Sequence, residues 1–135
     1  MKTKGGFTLL ELIMVVIIIG VLAGLAIPQY INAVERAKAG KAISNLGLIR
    51  QAQHLYRADS DEYSAADSSS GWQAVLGMYV ELTGVDNDLD WDYDTTANDE
   101  STFTVEATRT QGPYGGDFIE IDQDGISGGD WTLPY

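Results

Sequence analysis

The fold is decided near the N-terminus by residues 4–28, which read KGGFTLLELIMVVIIIGVLAGLAIP. Among the 21 residues from 7 to 27, only Thr8 and Glu11 are polar. A helix rises about 1.5 Å per residue, so this run matches the hydrocarbon core of a bilayer, which is about 30 Å thick. The run therefore predicts one membrane-spanning helix.

Charged and small residues precede the apolar run. Lys2 and Lys4 favour the cytoplasmic side, so we expect a single-pass membrane precursor with a cytoplasmic N-terminus and the remaining chain outside. The pair Gly5-Gly6 also lies before the run, whereas an ordinary secretory signal is cut after its apolar segment. Cleavage at this pair would remove only residues 1–6 and keep the apolar helix.

A Gly-Phe-Thr-Leu-x-Glu-Leu signal at residues 6–12, followed by the apolar run and Pro28, resembles the N-terminus of type IV pilins and type II secretion pseudopilins. The resemblance implies that a prepilin peptidase cuts after Gly6 and methylates the new N-terminal Phe7. It also implies that inner-membrane assembly machinery polymerises identical subunits into a helical extracellular filament.

The resemblance divides the chain into three parts. Residues 1–6 are the leader, residues 7–30 are the transmembrane and later filament-core helix, and residues 31–135 are the globular head. The fold class is then α+β, with a long N-terminal helix packed on a three- or four-stranded antiparallel sheet.

Glu11 is the costly residue of the apolar run, because a carboxylate in a membrane costs roughly 2.5–3.5 kcal/mol on insertion scales. The resemblance implies that Glu11 pairs with the amine of Phe7 in the next subunit of the filament. The alternative is that Glu11 reaches the water interface, since it lies only four residues from the mature end.

Gly20, Gly24 and Pro28 weaken the helix, by about 1 kcal/mol for each glycine and about 3 kcal/mol for the proline. The resemblance implies that this stretch loses helical structure on polymerisation and that the helix bends at Pro28. The alternative is that the glycines allow helices to pack closely in the membrane.

Residues 29–58 form an amphipathic pattern, with apolar residues at spacings of three and four that predict a helix face packed on a sheet. These residues are Ile31, Val34, Ala42, Ile43, Leu46, Ile49, Ala52 and Tyr56. The same stretch holds five bases, whereas residues 58–135 hold 18 of the 20 acidic residues and one base, Arg109. This asymmetry predicts attraction between stacked subunits; solvated surface charges are the alternative.

The acidic head begins with a Ser/Asp/Ala-rich loop, and residues 72–80 then predict a short helix capped by Ser70 or Gly71. Three strands are expected at about residues 89–96, 102–110 and 117–122. Leu89, Trp91 and Tyr93 alternate with aspartates, which predicts one buried face on the first strand. Asp124-Gly125 predicts a turn after the third strand.

Two acidic clusters are candidate calcium sites, because calcium prefers six to eight oxygen ligands. One comprises Asp86, Asp88, Asp90, Asp92 and Asp94; the other comprises Glu120, Asp122, Asp124 and Asp130. Major pseudopilins of the resembling family carry calcium in their C-terminal loops. The alternatives are a solvent-facing strand for the first cluster and an ordinary hairpin turn for the second. No other cofactor is expected.

A structural filament subunit is the favoured function. The leading hypothesis is a type IV pilin, and a secretion pseudopilin forming a periplasmic piston is the alternative. An enzyme is not expected, because the chain has one histidine, no cysteine and no convincing triad. A conductive filament would need a denser aromatic path, and the acidic head predicts no nucleic-acid binding.

Overall fold

The fold is seen in a computed structural model that describes residues 6–132. Helix α1 runs over Leu9–Ser60, and Pro28 lies inside it. The chain forms two compact units, Met1–Arg36 and Ala37–Tyr135. The predicted boundary between the filament-core helix and the head, at residue 31, concerns membrane burial and stays a prediction.

In the first unit the described chain is the beginning of α1, and its apolar side chains are exposed. Phe7 is 79% exposed, Leu22 is 61% exposed and Ile31 is 44% exposed. The predicted loss of helix around Pro28 concerns the polymerised chain, so it stays a prediction. The large apolar side chains of this unit, from Leu9 to Ile31, are thus exposed in the single chain.

The second unit contains a four-stranded sheet in the order β1-β2-β3-β4, with every neighbouring pair antiparallel. The strands are β1 (Trp91–Asn98), β2 (Phe103–Arg109), β3 (Phe118–Asp122) and β4 (Ile126–Gly129). In the register, Tyr93 lies opposite Ala107, and Val105 lies opposite Ile121. The predicted α+β class is confirmed, and the sheet has four strands, the larger of the two expected numbers.

The core lies between α1 and one face of the sheet. Its helix residues are Ala39, Ala42, Leu46, Ile49 and Ala52, and its sheet residues are Trp91, Tyr93, Phe103, Val105, Ala107, Ile119 and Ile121. The predicted packing stripe is confirmed over its middle, whereas Ile31 lies in the first unit and is exposed.

The expected start of the first strand was wrong by two residues. Leu89 is 83% exposed and precedes β1, which begins at Trp91. Asp88 and Asp90 on either side of Leu89 bind Asn45 and Lys38 of helix α1 through their side chains. The Asp90 carbonyl accepts the Thr110 N–H at 3.0 Å, just before the ladder of β1 and β2 begins.

Two short helices connect α1 to the sheet: α2 (Trp72–Leu76) and α3 (Thr83–Asp86). The predicted helix over residues 72–80 ends early, at Gly77. The N-cap of α2 is Gly71, at φ 79°, so the N-cap residue supplies no side-chain hydrogen bond to the helix. Instead the Asp86 carboxylate accepts the backbone N–H groups of Trp72 and Gln73 at 2.7 and 2.9 Å.

The turn predicted at Asp124-Gly125 is confirmed and leads into the fourth strand. Gly125 has φ 146°, a value that favours glycine. Oδ1 of Asp122 accepts the N–H groups of Asp124 and Gly125 at 2.8 and 2.9 Å. The Asp122 carboxylate therefore holds the turn in place.

Candidate assembly site and acidic clusters

The start of helix α1 is a capping box formed by Thr8 and Glu11. Oε2 of Glu11 accepts the Thr8 backbone N–H at 2.9 Å and the Thr8 hydroxyl at 2.8 Å. The Glu11 N–H donates in return to the Thr8 hydroxyl at 3.2 Å. These bonds satisfy donors that a helix N-terminus otherwise leaves open.

Glu11 therefore has a partner within its own chain, a role that the sequence analysis missed. The signal was present, because Thr8 and Glu11 have the S/T-x-x-E spacing of a capping box. Only Oε2 is used in the bonds to Thr8. The predicted pairing with the amine of a neighbouring Phe7 is a further contact, which stays a prediction.

The predicted processing residues lie in the open. Gly6 and Phe7 precede the helix and are exposed. Beyond them α1 is long and apolar enough to cross a membrane, and its most apolar window of 18 residues has no buried residue. Cleavage after Gly6 and assembly through Phe7, Glu11 and Pro28 stay predictions, but these residues share one exposed segment.

Four bases of α1 bind groups of their own chain, and the predicted attraction between stacked subunits stays a prediction. Lys38 forms an ion pair with Asp90 at 2.8 Å, and Lys41 forms one with Asp88 at 2.9 Å. Arg50 and Arg57 donate to the carbonyl oxygens of Gln123 and Glu100, both at 3.0 Å. Each of these bases holds part of the head against the helix that carries it.

The first acidic cluster contains a buried carboxylate, Asp88, whose side chain has no exposed surface. It accepts hydrogen bonds from Lys41 at 2.9 Å, Asn45 at 3.1 Å and the Tyr93 hydroxyl at 2.8 Å. Burial is the main cause that raises the pKa of Tyr93, and the Asp88 carboxylate adds to it. This carboxylate joins α1 to β1.

Asp90 is the second carboxylate that joins helix to sheet. Besides Lys38, the guanidinium of Arg109 lies 3.4 Å from its Oδ1. The hydrogen bond from Lys38 is the largest cause that lowers the pKa of Asp90, with smaller charge effects from Lys38 and Arg109. Arg109 is itself 2% exposed and also donates to the Asp90 carbonyl at 2.6 Å.

The structure therefore gives the first cluster structural roles. Asp86 caps α2, Asp88 and Asp90 bind the helix, and Asp94 accepts the N–H and hydroxyl of Ser68 at 3.0 and 2.8 Å. On β1 itself, Asp92 and Asp94 lie on the exposed face, as the alternative of a solvent-facing strand expects. Calcium binding by this cluster stays a prediction. Only Asp92 faces solvent without such a contact to another element.

The second cluster is spread over β3, its turn and the segment after β4. Asp122 is occupied by the turn, and Asp130 accepts the Phe118 N–H at 2.8 Å. Glu120 lies on β3 opposite Gly128. Within residues 6–132, no three acidic, histidine or cysteine side chains form a group that could hold a metal ion. The four residues do not form a preformed calcium site.

Comparisons with known proteins agree with the N-terminal segment and extend over the head. Residues 1–27 match the family model described as the prokaryotic N-terminal methylation motif. A fimbrial protein of Pseudomonas aeruginosa is 32% identical over 89% of this chain and 76% of its own length. A type IV major fimbrial protein of Dichelobacter nodosus is 41% identical over 72% of this chain and 53% of its own length.

A type II secretion relative also matches most of the chain. The type II secretion system core protein G of Pseudomonas aeruginosa is 27% identical over 95% of this chain and 89% of its own length. The similarity to both groups is therefore not confined to the apolar segment.

Proposed function

This chain belongs to the family of type IV pilins and type II secretion pseudopilins, and we propose that it is the structural subunit of a type IV pilus. The precursor is anchored in the inner membrane by the first half of α1. Prepilin peptidase removes residues 1–6 and methylates Phe7. The mature subunits then polymerise into an extracellular filament, and no catalytic activity is involved.

The observation that carries this proposal is that this chain, which is similar to fimbrial proteins, has an exposed apolar helix segment beside a well-packed head. Large apolar side chains from Leu9 to Ile31 are 44–75% exposed. Burying apolar surface yields about 25 cal/mol per Å², so a segment this large needs a second apolar phase. Lipid supplies that phase before assembly, and identical segments of neighbouring subunits supply it afterwards.

A secretion pseudopilin is the second candidate, because protein G of the type II secretion system matches almost the full chain. One observation favours the pilus. Over most of the chain, identity to a fimbrial protein is 32%, whereas identity to this protein G is 27%.

Imaging of surface fibres separates the two candidates. Fibres are sheared from cells, viewed by negative stain and analysed by mass spectrometry, beside cells in which the gene is deleted. A pilus subunit is the main component of long fibres that disappear on deletion. Unchanged fibres together with loss of protein secretion would show the pseudopilin instead.

Two replacements at Glu11 separate its two roles. Glu11→Gln keeps an oxygen that accepts the Thr8 bonds but removes the charge, whereas Glu11→Ala removes both. If the charge pairs with a neighbouring amine, both variants lower the number of surface fibres by at least about tenfold, the effect of roughly 1.4 kcal/mol per subunit contact. Fibre counts per cell and immunoblots of the precursor measure this.

A matched control is Glu62→Gln, which changes an exposed carboxylate of the head and is expected to leave fibre counts unchanged. Normal fibres with Glu11→Gln but few with Glu11→Ala would assign Glu11 to the capping box alone. Normal fibres with both would remove Glu11 from assembly altogether.

A further inference from the structure

The turn between β3 and β4 is held by two side chains of helix α1. Nε of Arg50 and Nε2 of His54 both lie within hydrogen-bond distance of the Gln123 carbonyl oxygen, at 3.0 and 3.1 Å. One helical turn separates the two donors, so they approach the same oxygen from one face of the helix.

The chemistry of the contact determines how His54 is protonated. A carbonyl oxygen only accepts hydrogen bonds, so Nε2 of His54 carries its proton at this site. In the neutral ring, Nδ1 is then free to accept from the Tyr63 hydroxyl, which lies at 3.4 Å. The ring also contacts Phe103 edge to face at 6.2 Å between centroids. His54 is thus oriented by the loop after α1 and by β2.

Three oxygen atoms of this turn already accept protein hydrogen bonds. The Gln123 carbonyl accepts from Arg50 and His54, and Oδ1 of Asp122 accepts two backbone N–H groups. The Gln123 side-chain oxygen accepts the Phe103 N–H at 3.4 Å. A cation here would also lie beside the Arg50 guanidinium, whose positive charge opposes it.

We propose that Arg50 and His54 hold the β3–β4 turn on helix α1 in place of a bound calcium ion. The two donors give the last hairpin of the head a fixed position on the helix. This inference concerns the head alone, so it holds for a pilus subunit and for a secretion subunit.

Hydrogen exchange of the full chain in detergent micelles, followed by mass spectrometry, tests the proposal in two ways. First, the unaltered protein is compared in 5 mM calcium and in excess chelator; we expect the same exchange over residues 118–129 and the same melting temperature. Second, R50L combined with H54A is expected to speed exchange over residues 118–129 by roughly tenfold, as for one lost hydrogen bond to a charged donor.

Arg57→Leu is the matched control, because Arg57 makes the same type of bond from the same helix to a different hairpin, at the Glu100 carbonyl. It is expected to speed exchange over residues 98–103 and to leave residues 118–129 unchanged. Calcium-dependent slowing of exchange in the β3–β4 turn would overturn the proposal, and so would unchanged exchange in the double variant. If the double variant does not fold, the calcium comparison on the unaltered protein still decides.

Discussion

The two halves of helix α1 carry apolar surfaces of opposite kinds. In the first half the surface is made of large side chains that are exposed all round, as Leu22 and Ile17 show at 61% and 59%. In the second half it is a narrow row of mostly small residues that are fully buried against the sheet. One helix thus folds its own head with one half and keeps the other half for lipid and for other subunits.

Polar groups differ between the halves in the same way. The second half uses Lys38, Lys41, Arg50 and Arg57 to bind the acidic head of its own chain. In the first half, Glu11 lies at the very start and is bound to Thr8. The charged groups of the head therefore find partners within one chain, whereas the large apolar side chains of the first half are exposed in the single chain.

The largest expected effect separates buried from exposed leucines of α1. Leu46 is fully buried and Leu48 is 36% exposed in the same stretch of helix. We expect Leu46→Ala to lower the free energy of unfolding of the head by about 2–5 kcal/mol, because it removes a core side chain and leaves a cavity. Leu48→Ala and Leu22→Ala should change it by less than about 0.5 kcal/mol. Chemical denaturation of the full chain in detergent, followed by tryptophan fluorescence, measures all three.

If Leu46→Ala and Leu22→Ala lowered the free energy of unfolding equally, the first half of α1 would contribute to the folded head, which would contradict the difference between the two halves. An unchanged free energy of unfolding with Leu46→Ala would contradict the placement of Leu46 in the core.

A smaller effect concerns acid. Backbone N–H groups of Ser101 and Thr102 lower the pKa of Asp99 to about 2, and the hydrogen bond from Lys38 lowers that of Asp90. A carboxyl whose pKa is lower in the folded chain stabilises the fold above its unfolded pKa of about 3.9, and this stabilisation is lost as the pH falls through the folded value. The melting temperature of the head should therefore fall between about pH 4 and pH 2.

Asp99→Asn should reduce that fall, because the amide oxygen still accepts the two N–H groups and does not titrate in this range. Glu100→Gln, next to it and exposed, should leave the fall nearly unchanged. Thermal melts at pH 6 and pH 2.5 compare the variants; equal acid sensitivity of Asp99→Asn and the unaltered chain would refute the role of this turn.

Local patterns predicted the fold well. Alternation on β2, with Phe103, Val105 and Ala107 buried, needs only a strand with one face on a core. The turn at Asp124-Gly125 depends on a glycine conformation that two adjacent residues specify. The row from Ala42 to Ala52 follows from helical periodicity.

Contacts between distant residues were the part that the sequence could not predict. Lys41 and Asp88 are 47 positions apart, and Arg50 and Gln123 are 73 positions apart. The sequence could therefore not show whether each base binds a group of its own chain or of a neighbouring subunit. The acidic residues suggested calcium for the same reason, because carboxylates look alike in sequence whether a lysine, a helix N-terminus or a cation binds them.

The central claim is that the exposed first half of α1 is covered by other copies of this chain in a filament. Cryo-electron microscopy of fibres sheared from the cell surface tests it most directly. The account predicts a helical array of this subunit, beginning at N-methylated Phe7, with residues 7–31 packed against one another along the axis and residues 37–132 outside. Fibres in which residues 7–31 are absent, or lie at the solvent-facing surface, would contradict it.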